Sequence, residues 1–107
     1  MPYYLIQASY NQGAAKALLA RPHDRSGVVK KMVESLGGKL QSFFLAFGEY
    51  DIVAIAELPG NEQAVAMGLA TVSGGALSKY NTTVLLSPDE AVGAMKKAKK
   101  VAYTPPK

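Results

Sequence analysis

Between Gly37-Gly38 and Pro59-Gly60 the chain carries two β-rich runs, KLQSFFLAF (39–47) and DIVAIAEL (51–58), joined only by Gly48, Glu49 and Tyr50. Two such runs so close together form an antiparallel hairpin. Gly48-Glu49 fits a two-residue type II′ turn, which takes glycine at its first central position. Phe47 then faces Tyr50, Ala46 faces Asp51, and the pairing continues through Leu45 with Ile52 and Phe44 with Val53. Any fold proposed for the chain has to be built around this hairpin.

The flanking segments supply the rest. Tyr3 to Tyr10, YYLIQASY, reads as a first strand. From Asn11 the pattern turns helical, and Pro22 restarts it, since proline suits the first turn of a helix and not its middle. Val28, Val29, Met32, Val33 and Leu36 make one apolar stripe, which Gly37-Gly38 ends. After Pro59-Gly60 a helix carries Val65, Leu69 and Val72 on one face, with Gly60 or Asn61 as its cap. Residues 76–86 have the Tyr, Thr and Val content of a fourth strand. Ser87-Pro88-Asp89-Glu90 is a helix start with a capping box, and this last helix turns Val92, Met95 and Ala98 inward.

The order strand, helix, strand, strand, helix, strand, helix predicts an α+β, ferredoxin-like split βαβ fold: a four-stranded antiparallel sheet with its helices on one face. Residues 1–100 form one domain and 101–107 a flexible tail.

Composition removes several function classes. The chain has no cysteine, which excludes disulfides, thiolate catalysis and cysteine-based metal sites. The net charge of +4 comes from the C-terminal lysines, because Met1 to Met95 holds seven basic residues against eight acidic ones. Lys96, Lys97, Lys99 and Lys100 are read as the solvated end of a helix, complementing its dipole, and not as a nucleic-acid surface. No apolar run is long enough to span a membrane, and a cytoplasmic location is expected. His23, the single imidazole, lacks a partner at metal-ligand spacing, so no metal or cofactor is expected. GGKL and SGGA follow helices instead of opening them and lack the spacing of phosphate loops.

The run GGKLQSFFLAFGEYDIVAIAELP, with its Gly48-Glu49-Tyr50-Asp51 turn, together with Asn11-Gln12-Gly13 and the Pro22 break, resembles the small bacterial GYD-domain proteins. The resemblance covers roughly Tyr3 to Lys97. It implies a ferredoxin-like fold related to dimeric α/β barrels. It supplies neither an established activity nor a catalytic residue.

Strand alternation gives the hairpin two faces. Phe43, Leu45, Phe47, Tyr50, Ile52, Ala54 and Ala56 lie under the helices. Leu40, Ser42, Phe44, Asp51, Val53, Ile55 and Glu57 lie on the open side, where strand one adds Leu5, Gln7 and Ser9. Leaving Leu40, Phe44, Val53 and Ile55 in water is costly, so a homodimer or higher symmetric oligomer through the open face is expected. Such an interface would hold a small organic ligand among Ser42, Phe44, Asp51, Glu57 and, at its rim, Tyr50. The favoured reading is a non-enzymatic binding or structural module. The alternative is a cofactor-independent oxygenase, isomerase or decarboxylase of the dimeric barrel type, with Asp51 as general base.

Overall fold

The computed structural model describes residues 1–107. In chain order it contains β1 (Tyr3–Tyr10), α1 (Gln12–Ala20), α2 (Ser26–Ser35), β2 (Lys39–Leu45), β3 (Ile52–Glu57), α3 (Asn61–Ser73), β4 (Leu77–Leu85) and α4 (Pro88–Ala98). The four strands form one antiparallel sheet in the order β2-β3-β1-β4, the ferredoxin-like arrangement the element order predicts. No helix is long and apolar enough to cross a membrane.

The core lies between the sheet and two helices. Tyr4 and Ile6 of β1, Ala54 and Ala56 of β3, Leu58, Val33 of α2, and Ala64 and Met67 of α3 are buried together. Burying side chains such as Val33 and Leu58 stabilises the fold by about 1.5–3 kcal/mol each. Tyr4 is sealed at its polar tip, where its hydroxyl donates to Asn61 Oδ1 at 2.7 Å. The α2–β2 connection is tight: Gly37 has φ of 84°, and a Cβ on Gly38 would stand 2.2 Å from the Glu57 carbonyl oxygen. Glycine is required at both places for different reasons, backbone handedness at the first and space at the second.

Several sequence expectations are corrected. Pro22 does not open the second helix, which starts at Ser26. Asp24 sets that start by accepting from the Ser26 N–H at 2.8 Å, a partner that neither Arg21 nor Pro22 offers to a first-turn amide. Leu40 leaves the open face, because Leu40 pairs with Ala56 whereas Ser42 pairs with Ile55, and the extra residue Gln41 turns Leu40 toward the core. On α3 the buried residues are Ala64 and Met67, whereas Val65, Leu69 and Val72 face outward. A stripe of small residues is needed there because Tyr80 rises from β4 to within 3.1 Å of where a Cβ on Gly68 would be.

The last helix departs furthest from expectation. Its capping box forms as read, with Glu90 N–H donating to Ser87 Oγ and Ser87 N–H to Glu90 Oε1. Yet α4 buries no residue, and Met95 is 66% exposed. Local signals start this helix, but no facing surface in the same chain receives it. The radius of gyration, 17.2 Å, exceeds the roughly 13 Å of a compact chain of this length.

Candidate functional site

The turn between β2 and β3 is wider than a two-residue hairpin. The ladder closes with the Ala46 N–H donating to the Asp51 carbonyl at 2.8 Å, and Phe47 to Tyr50 form the loop beyond it. Gly48 does not take the positive φ that a type II′ turn requires, so that expectation fails. Glycine stands there with open space around it.

The loop is fixed from the outside, by β1 and β4. Asp51 N–H donates to the Ala8 carbonyl at 2.9 Å, one step past the last β1–β3 pair, Ala8 with Ile52. Asp51 Oδ2 then accepts from the Tyr10 N–H at 3.0 Å. The carboxylate thus satisfies a backbone donor that the sheet, ending there, leaves without a strand partner. Ser9 and Lys79, cross-strand neighbours on β1 and β4, both reach the Glu49 carbonyl, at 3.2 Å and 3.0 Å. Lys79 Nζ also stands 5.0 Å from the centre of the Tyr50 ring, within cation–π range.

Asn11 completes this end of the sheet. Its side chain accepts from Ala14 N–H as the α1 cap and donates to the Gly75 carbonyl at 2.6 Å, while its N–H donates to the Ala76 carbonyl at 2.9 Å. Sequence reasoning missed Ser9 and Lys79 as partners of the turn, and Asn11 as the residue that ties the end of β1 to Gly75 and Ala76. Asn11 was legible as a helix cap; the other two contacts depend on strand pairing with no local signal.

The predicted site residues are brought together in part. Ser42, Phe44, Val53, Ile55 and Glu57 share the open face through the pairs Phe44–Val53, Ser42–Ile55 and, on β1, Tyr3–Glu57. Leu5 and Gln7 join them opposite Ile55 and Val53. Tyr50 and Asp51 stand at the end of the sheet instead of in the middle of that face. Phe44 is 66% exposed and borders a cleft that Leu18 of α1 and residues 22–25 also line. The Glu57 carboxylate is held by the Gln41 side-chain amide at the bulge. Both candidate carboxylates therefore have partners within the chain. Of the residues expected under the helices, Phe43, Ile52, Ala54 and Ala56 are there, whereas Leu45 and Phe47 are exposed because the helices do not extend over the turn.

The family model described as the GYD domain matches residues 4–95. No curated protein matches the chain. Among solved structures, the crystal structure of MtbAldR is similar in fold, with a TM-score of 0.52 at 10% identity. The match covers 80% of this chain and 52% of that one, so this chain spans about half the length of that protein.

Proposed function

The chain belongs to the GYD-domain family, and from that premise we propose that it is a self-assembling, non-enzymatic binding or structural module, in which identical chains join through their open sheet faces. The observation that carries this reading is the uncovered apolar surface. Phe44, Val53, Ile55, Leu5 and Leu85 lie on the side of the sheet away from the core, Phe44 exposed and the other four half-buried, and α4 buries no residue of its own in the chain. Surfaces of this kind on monomers are rarely large, and a second copy offers a matching one under twofold symmetry. Ser42, Gln7 and Glu57 supply the few polar groups that would orient a small organic ligand enclosed there. The engagement of Asp51 with the Tyr10 backbone supports a structural duty for that carboxylate over one as general base.

The absence of native cysteine makes the test simple. A Gln7→Cys variant carries its only thiol at the centre of the open face. Assembly predicts slow reaction with a bulky maleimide, becoming fast when Phe44→Glu is added. Labelling of Gln7→Cys as fast as that of an Ala66→Cys control on the exposed side of α3 contradicts the proposal.

A further inference from the structure

The other side of the sheet holds a space that the reading above does not use. α2 packs over β2 at one edge and α3 over β4 at the other, which leaves the central strands β1 and β3 under the gap between them. Those strands present Ala8 and Ala54 there, too small to fill it. The result is a cavity of about 290 Å³, with 13 of its 16 lining residues hydrophobic. Thr71 Oγ1 and Met32 Sδ, 3.5 Å apart, bridge the two helices across it.

Its polar groups are few and specific. Tyr80 Oη is buried and has no hydrogen-bond partner. Burial raises the Tyr80 pKa above its ordinary 10.0; the nearby Thr82 side chain offsets part of that effect without standing in hydrogen-bonding geometry. A buried hydroxyl without a partner carries a desolvation cost that an acceptor placed beside it would remove. Thr71 is no competitor for such an acceptor, since its hydroxyl donates to the Met67 carbonyl at 2.6 Å. Arg25 and Tyr10 also line the cavity, and with Phe43 they are shared with an adjoining outer cleft of about 450 Å³. Of the other charged groups in that cleft, Asp24 is turned to the Ser26 N–H and His23 to the Arg21 carbonyl.

We infer that the space between α2, α3 and the sheet is a binding site for a small apolar acid of about one ring, with an acceptor against the Tyr80 hydroxyl and its anionic group toward Arg25. The volume sits at the lower limit of small-molecule pockets, which admits a single ring and rejects a nucleotide or flavin. The walls favour an apolar body, and a guanidinium is the natural partner for a carboxylate. The cavity itself lies on the opposite side of the sheet from the proposed assembly surface, and of that surface only Phe44 also borders the outer cleft.

The methionines report on it directly. Met32 and Met67 line the cavity, whereas Met95 is exposed on α4. In protein labelled with ¹³C at the methionine methyls, titration with 4-methoxyphenylacetate, whose ether oxygen can accept from Tyr80 while its carboxylate faces Arg25, up to about 10 mM should move Met32 and Met67 saturably and leave Met95 in place. Arg25→Ala should weaken 4-methoxyphenylacetate about tenfold and leave 4-methoxyphenylacetamide unchanged. Tyr80→Phe should weaken both probes several-fold, and it removes only a hydroxyl that has no partner, so folding is retained. Absence of a saturable shift overturns the inference, as does an equal shift at Met95 or binding indifferent to both substitutions.

Discussion

Asp51 Oδ2 accepts a hydrogen bond from the Tyr10 backbone N–H at 3.0 Å, joining two residues 41 positions apart and closing the end of the β1–β3 ladder. A side chain here does the work of a missing strand residue. Asp51→Ala leaves the Tyr10 amide without that acceptor and is expected to destabilise the fold by about 1–2 kcal/mol in urea titration. Asp51→Asn keeps an amide oxygen in the same place and should recover most of the loss. Equal stability of all three proteins would show that the contact contributes nothing.

Gly38 faces a harder constraint than conformation. With the Glu57 carbonyl oxygen 2.2 Å from where the methyl carbon of an alanine would stand, Gly38→Ala must push β2 and β3 apart where they begin to pair. A loss of about 2 kcal/mol or more is expected. Gly48→Ala meets open space at ordinary backbone angles and should cost less than about 1 kcal/mol. Chemical denaturation of the two variants side by side checks the contrast.

Hydrophobic residues of the helices should separate into two classes. Met67→Ala empties a buried position and is expected to cost about 2–5 kcal/mol. Val92→Ala on α4 removes an exposed side chain and should stay within about 0.5 kcal/mol as long as the chain is monomeric. A large cost for Val92→Ala in dilute, monomeric protein would mean that α4 packs on its own domain.

The phenols predict alkaline behaviour. Burial raises the pKa of Tyr10, an effect that Arg25 opposes and Asp51 reinforces, and burial also raises that of Tyr80. The folded chain thus holds these protons more tightly than the unfolded one. Their stabilising contribution is complete below the unfolded value near 10.0 and is lost as pH rises through the higher folded values. Thermal melts across that range should show the wild type losing stability faster than a Tyr10→Phe, Tyr80→Phe double variant. Parallel decline of the two curves would contradict this.

What the sequence revealed and what it concealed follow from the range of the interactions. The pairs Leu45–Ile52 and Phe44–Val53 were legible because a short connection leaves few registers. The Ser87–Glu90 capping box and the break at Gly37-Gly38 were legible because their partners lie within a few residues. The turn itself was misread as type II′, since the bonds that shape it come from Ala8, Ser9, Tyr10 and Lys79 on other strands. Leu40 changed faces through a bulge that alternation alone does not announce. Val65, Leu69 and Val72 looked like an inner face by size, but the sheet needed the smaller Ala64 and Gly68 beside Tyr80. The open-face residues Ser42, Phe44 and Glu57 were identified correctly as neighbours, whereas the cavity behind Ala8 and Ala54 arises from helix placement and has no sequence signature.

The mass of the particle in solution tests the central claim most directly. Size-exclusion chromatography with light scattering should give the wild type a mass at a whole multiple, two or more, of 11.3 kDa, and Phe44→Glu a mass of 11.3 kDa with an unchanged circular dichroism spectrum. A wild type that stays at 11.3 kDa at every concentration would contradict assembly through the open sheet.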